Sequence, residues 1–197
     1  MITTLIDQQV YCASPSIHDM TPVFLNLLQM KSPNLYRHSH QVANYSASIA
    51  AKMCLPSEEI SLIQTAALLH DIGHVTVPNL ILAKSPYLSQ REYSTFKNHC
   101  RAGVAMMENI AACQPLIPYI LHHHERWDGT GYPKRLKGVN IPLGARIIAV
   151  ADYYDSFINP CTQNWRKTKQ EALKELQDLS GTALDSEVVK AFKMALG

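Results

Sequence analysis

Apolar residues recur along most of this chain at spacings of three and four, the period of a helix that buries one face. The clearest run is Leu35, His38, Val42, Tyr45, Ile49 and Met53, one stripe of a long amphipathic helix. Ser32-Pro33 starts it, and Thr21-Pro22 reads as the start of a preceding helix reaching residue 30, with Val23, Leu27 and Leu28 inward. Ahead of both, Ile2, Leu5, Ile6 and Val10 suggest a short docking helix. Leu55-Pro56-Ser57 breaks the pattern, and Glu58-Glu59 suit the positive end of the next helix, whose inward face runs through Ile60, Ile63, Ala67 and His70. Pro78 and Pro86 punctuate a looped segment with a short helix at 80–83. Ser89 with Glu92, and Thr168 with Glu171, are capping boxes that open further helices. Residues 102–110 and 116–124 read as helical, 145–157 as a buried apolar helix and 186–196 as the last helix. Between them, 126–143 is a loop rich in Gly, Pro and charge, of a length that is usually functional or mobile. No stretch carries the strand period. The pattern predicts an all-α fold, a compact multi-helix bundle, with residues 1–32 as a short helical extension and 33–197 as the main domain.

Composition narrows the class. A chain of 197 residues with 47% hydrophobic and 17% charged residues can bury a sizeable core and is not a disordered segment. A formal charge of +2 is too mild to argue for duplex nucleic acid as a partner. The five cysteines, Cys12, Cys54, Cys100, Cys113 and Cys161, are scattered and odd in number, which reads as a reduced, cytoplasmic chain. No apolar run approaches the length of a membrane span, and the N-terminus lacks a basic-then-apolar signal pattern.

The polar residues on apolar faces carry the chemistry. His70-Asp71 closes one apolar run, His123-His124 closes another, Asp152 and Asp155 lie inside a third, and His99 follows a capping box by ten residues. Buried His and Asp each cost desolvation, so several of them on inward faces need a common partner, and a metal ion is the economical one. An imidazole binds one ion, whereas a carboxylate can bridge two through its two oxygens. Neighbouring helical residues point about 100° apart, so His123 and His124 can share an ion only near a helix end, which the Gly-rich sequence after them supports. Mixed imidazole and carboxylate donors favour iron, manganese or zinc over magnesium. Cys100, beside His99, could be a ligand, but a packing role is the preferred reading. Asp155 falls on nearly the same face as Asp152 and could hold a ligand His in orientation.

His70-Asp71-Ile72-Gly73 resembles the HD signature of metal-dependent phosphohydrolases. The stretch from His123-His124-Glu125-Arg126-Trp127-Asp128-Gly129 to Thr130-Gly131-Tyr132-Pro133 resembles that of the HD-GYP subfamily, bacterial phosphodiesterases that hydrolyse cyclic di-GMP. The likeness extends through Ile141-Pro142-Leu143-Gly144-Ala145-Arg146-Ile147 and Val150-Ala151-Asp152, covering residues 35–157 firmly. The ordered set of HD, single His, double His, GYP and Asp is far more specific than an HD pair alone.

That resemblance implies a ligand set. His38, which matches the family's His-Ser and Val-Ala pattern, would hold one ion with His70, Asp71 and Asp152. Asp71 would bridge to a second ion completed by His99, His123 and His124. Two divalent ions are implied, iron or manganese first and zinc also compatible, because Asn34 stands where some members carry a Glu for a third. The implied activity is hydrolysis of cyclic di-GMP to linear pGpG, or further to GMP, by a water activated between the ions. Asp71 and His74 are the expected catalytic residues. His74 occupies the place of a family Lys near the phosphate and could donate a proton to the leaving oxygen. Trp127 and Tyr132 could stack on guanine or brace the loop, and Lys134, Lys137 and Arg146 could meet phosphate oxygens. After Asp152 the family has two arginines that recognise substrate; here Arg166 and Lys167 follow in a different register. Two other readings stay open. One is a non-catalytic module that binds the dinucleotide or a protein partner such as a diguanylate cyclase; the other is a phosphohydrolase for another nucleotide. A homodimer is compatible with either.

Overall fold

A computed structural model describes residues 16–84, 87–160 and 166–196. The docking helix expected near residues 2–10, Pro86 and residues 161–165 lie outside that description. Helix α1 (Ile17–Lys31) is followed by α2 (Pro33–Lys52), α3 (Ser57–Leu69), α4 (Asn79–Lys84), α5 (Gln90–Lys97), α6 (His99–Met107) and α7 (Ile117–His122). Then come α8 (Leu143–Ile158), α9 (Lys169–Leu179) and α10 (Ser186–Leu196), with 3-10 turns at Ile72–Thr76, Ala111–Leu116 and Gly138–Asn140. Among the described residues the extended pairing is one isolated bridge between Ser180 and Leu184, so the all-α expectation holds. No described helix is long and apolar enough to cross a membrane.

Capping chemistry sets most helix starts. Ser32 caps α2 with Pro33 at the first position, and Ser89–Glu92 and Thr168–Glu171 form the expected reciprocal boxes at α5 and α9. The start of α1 differs from expectation. Ser16 and Asp19 form a capping box there, each side chain taking the other's backbone N–H. That box satisfies two orphan donors, so the helix begins at Ile17 and Pro22 lies inside it, while Thr21 turns its hydroxyl back to the Ile17 carbonyl. The buried face of α1 is consequently Phe24 and Leu28; Val23 and Leu27 face outward. Phe24 and Leu28 belong to the same core as α2, α3 and α8, so the boundary expected at residue 32 falls between two helices that share one interior.

Helix α8 is the centre of the bundle. Ala145, Ile147, Ile148, Ala149, Val150 and Ala151 are all buried, an apolar surface nearly all round, which only a helix surrounded on every side can have. It packs on α2, α7, α9 and α10. Tyr45, Tyr154 and Phe192 meet edge to face at 4.8–5.7 Å between ring centres, tying α2, α8 and α10 together.

The backbone crossing that shapes the polar centre is between the Ile72–Thr76 turn and α6. A Cβ on Gly73 would overlap the His99 carbonyl oxygen and stand 2.6 Å from the Gly103 nitrogen, and one on Gly103 would meet Gly73 N at 3.3 Å. Two glycines let the chain segments touch, which brings Asp71 and His99 to one place. Gly73→Ala should therefore destabilise the protein by at least about 1–3 kcal/mol, the usual range for forced overpacking. Thermal unfolding of the metal-free protein measures it, and an unchanged midpoint would show that the crossing yields without cost.

Candidate metal centre

Five helices and one turn contribute to one buried polar cluster. His38 comes from the middle of α2, His70 and Asp71 from the end of α3, and His74 from the turn that follows. His99 is the first residue of α6, His123 and His124 follow the end of α7, and Asp152 and Asp155 lie within α8. Three of the histidines are oriented by one device. The Nδ1 of His70 is 2.7 Å from the Ala67 carbonyl, that of His99 2.8 Å from Phe96 and that of His123 2.7 Å from Ile120. Each acceptor lies three residues back, in the last turn of α3, α5 or α7, where carbonyls lack an intrahelical partner. A carbonyl only accepts, so each Nδ1 carries a proton and each Nε2 is the nitrogen turned to the centre.

Those nitrogens converge on Asp71. Its Oδ2 is 3.4 Å from His70 Nε2 and 3.9 Å from His38 Nε2; its Oδ1 is 3.4 Å from His99 Nε2 and 3.9 Å from His123 Nε2. The two oxygens thus face two groups. On one side His38, His70 and Asp152 bring donor atoms within 4.8 Å of one another; on the other, His99, His123 and His124 do so together with Cys100. His70 Nε2 is buried without a hydrogen-bond partner. Burial, reinforced by neighbouring imidazoles, holds His123 and His124 well below the ordinary imidazole pKa and lowers His99 to about 4, so all three stay neutral at physiological pH. Unprotonated nitrogens facing a carboxylate repel it unless a cation lies between. The donor set therefore fits divalent transition-metal ions.

On the first side, His38 differs. Its Nδ1 is 2.6 Å from Asp155 Oδ2 and its Nε2 3.1 Å from Asp152 Oδ1. Burial alone would lower its pKa, but the bonds to Asp152 and Asp155 outweigh that and raise it well above the usual imidazole value. Asp155 is itself fixed by Asn159, whose side-chain amide donates to Oδ1 at 2.8 Å. It stands where a carboxylate orients an imidazole from behind.

Other expected site residues separate into two sets. The Tyr132 ring lies 4.9 Å from that of His124, beside the cluster, and its backbone N–H donates to the His124 carbonyl. Lys134, Lys137 and Arg166 have side chains wholly or partly exposed to solvent. Arg146 is a correction. Its Nη1 pairs with the buried Asp185 carboxylate at 2.6 Å and its Nε donates to Ile141 O, so the guanidinium is committed within the protein and not offered to phosphate. It also lies over the Trp127 ring at 5.7 Å. The Trp127 backbone N–H donates to Ala183 O, which ties this loop to the segment before α10. His74 is 3% exposed and stacked on His99 at 4.0 Å, with Nε2 3.4 Å from Asp71 Oδ1. A buried, stacked ring is better suited to positioning Asp71 than to delivering a proton to a substrate.

Two residues of the centre escaped the sequence reading. Glu125 is buried, with its carboxylate accepting from the Lys134 and Leu136 N–H groups at 2.6 and 3.0 Å and facing His122 Nδ1 at 3.5 Å. It hangs the 126–143 loop directly beside His123 and His124. The signal was the loop's own composition, since an irregular Gly- and Pro-rich segment leaves backbone donors that need an acceptor. Gly131 is equally constrained: a Cβ there would run into the backbone of residues 124–126. Lys97 is the second, its Nζ lying over the Tyr93 and Tyr132 rings at 4.7 and 5.6 Å, a cation beside the cluster that no motif marks.

The HD-domain family profile matches residues 22–188. A cyclic di-GMP phosphodiesterase of Thermotoga maritima is 37% identical over 171 residues, covering 85% of this chain and 46% of the relative. A 3'3'-cGAMP-specific phosphodiesterase of Vibrio cholerae is 32% identical over 173 residues, 88% of this chain and 38% of the relative. The chain thus spans less than half the length of either. Among solved structures, Bd1817, an HD-GYP-type protein of Bdellovibrio bacteriovorus, superposes with a TM-score of 0.69 at 23% identity, over 90% of this chain and 61% of its own, which establishes the shared fold.

Replacing Asp155 with Ala removes the partner of His38 Nδ1 without touching a donor atom that faces Asp71. Losses of this kind cost about 10–100-fold in metal affinity. Competition with a chelator, read by elemental analysis, should show that weakening for Asp155→Ala, and affinity equal to the parent's would remove Asp155 from the centre.

Proposed function

Because this chain belongs to the HD-GYP group of the HD-domain family, we propose that it is a metal-dependent phosphodiesterase that cleaves cyclic di-GMP to linear pGpG. The observation that carries this reading is the convergence of His70 and His99 Nε2 on the two oxygens of Asp71, each ring oriented by a carbonyl at its Nδ1. The relative at 37% identity supports the substrate class, and the one at 32% supports a second cyclic dinucleotide, 3'3'-cGAMP, as the alternative to assay beside it.

His38, His70, Asp71 and Asp152 would hold one ion, and Asp71, His99, His123 and His124 the other; iron or manganese suits these donors, and zinc is also compatible. Ions held there supply Lewis acidity to a phosphoryl oxygen and lower the pKa of a water. The chain's own part is preorganisation. Backbone carbonyls and Asp155 fix four imidazoles before substrate arrives, so no reorientation is required during reaction. Tyr132, alongside His124, offers a ring face to a base, and Lys97 and Lys134 supply cations for phosphate oxygens. His74 keeps Asp71 in place.

The test is turnover of cyclic di-GMP and 3'3'-cGAMP by purified protein with saturating manganese or ferrous iron under reducing conditions. The parent should hydrolyse at least one. Asp71→Ala should remain folded, since Asp71 lies past the end of α3 and the apolar faces on either side still pack, yet lose metal and all hydrolysis. A parent that binds dinucleotide without cleaving it would make the domain a binding module. His74→Ala should bind metal about 10–100-fold more weakly, as loss of an orienting neighbour does. Full metal content with depressed turnover would return His74 to the role of proton donor.

A further inference from the structure

Cys100 brings a donor atom to the centre that the ligand set above leaves unused. We propose that Cys100 supplies a sulfur ligand to the ion held by His99, His123 and His124, an inference that rests on the metal-binding reading of this site. The residue is fully buried, its Sγ lies 3.4 Å from His99 Nε2, and its sulfur and the donor atoms of the three histidines all fall within 4.8 Å of one another.

The spacing of the donors is that of shared ligation. With zinc-like bond lengths and angles of about 90–110°, two imidazole nitrogens on one ion stand about 2.9–3.4 Å apart and a nitrogen and a sulfur about 3.1–3.5 Å apart. His99 Nε2 and His123 Nε2 are 3.4 Å apart, and Cys100 Sγ and His99 Nε2 are also 3.4 Å apart. A thiol hydrogen bond to His99 would account for the sulfur distance alone. It would leave His123 Nε2 facing His99 Nε2 at 3.4 Å, both Nδ1 atoms already donating to carbonyls. A cation at the meeting point of these donors resolves the contacts together. The thiol proton leaves as the sulfur–metal bond forms.

A sulfur donor changes what this position prefers. Thiolate is soft, so it selects zinc, cobalt(II) and ferrous iron over manganese, whereas the His38, His70 and Asp152 side keeps only nitrogen and oxygen donors. The two halves of the centre thus differ in their chemistry, and a mixed pair of metals is the form the donors favour.

Cobalt(II) titration of the metal-free, reduced protein tests this with spectroscopy alone. Visible ligand-field absorption reports binding to the centre as a whole, and a near-ultraviolet sulfur-to-cobalt charge-transfer band reports the sulfur. The parent should show both. Cys100→Ala and Cys100→Ser should keep the visible absorption and lose the near-ultraviolet band. Visible absorption without that band in the parent, or a band that survives in both variants, overturns sulfur ligation and leaves the metal centre standing. Absence of any cobalt absorption overturns the metal-binding reading and this one with it.

Discussion

Neutral imidazoles that donate Nδ1–H to a backbone carbonyl, as His99 and His123 do, turn an Nε2 lone pair on the Asp71 carboxylate at 3.4–3.9 Å, and the two repel unless positive charge stands between them. That constraint governs the centre of this protein. Burial strengthens it, because a low-dielectric interior neither screens the repulsion nor supplies water to bridge it. The same burial keeps His99 and His123 neutral, which is the state in which an imidazole binds a metal. The shape of the polar centre is that of a donor set for cations.

The fold achieves this by working at helix ends. His70, His99 and His123 each stand at or just past the C-terminus of a helix, where the last carbonyls have no partner. The ring that satisfies such a carbonyl is thereby locked in tautomer and direction. The unpaired carbonyls that every helix leaves at its end become the orienting element of the site. Mid-helix positions lack free carbonyls, and there a carboxylate orients the ring instead, as Asp155 on α8 does for His38 on α2.

Legibility in the sequence followed the range of the interactions. Local chemistry was readable: the Ser32, Ser89 and Thr168 caps, the stripe of α2 and the termination of an apolar run at His70-Asp71 all depend on residues within a turn or two. The start of α1 was misread because two local signals competed and the Ser16–Asp19 box, with two reciprocal bonds, prevailed over Thr21-Pro22. Long-range pairing was not readable. Nothing near Arg146 announces Asp185, 39 residues on, so a basic residue in a motif looked free for phosphate when it is committed to the interior. Glu125 shows the limit at shorter range, since the Lys134 and Leu136 N–H groups reach its carboxylate only once the loop has folded back.

Helix α1 is anchored to this arrangement along its buried face and at its last residue. Phe24 and Leu28 sit in the common core, and Lys31 Nζ donates to the carbonyl of Val77, the residue that closes the turn carrying His74. That turn begins immediately after Asp71. A roll or slide of α1 must therefore either break the Lys31 bond or drag the turn along with it. Mechanically, α1 is a handle whose far end is a few residues from the carboxylate at the heart of the molecule, and torque applied to it has a short, stiff path to the donors.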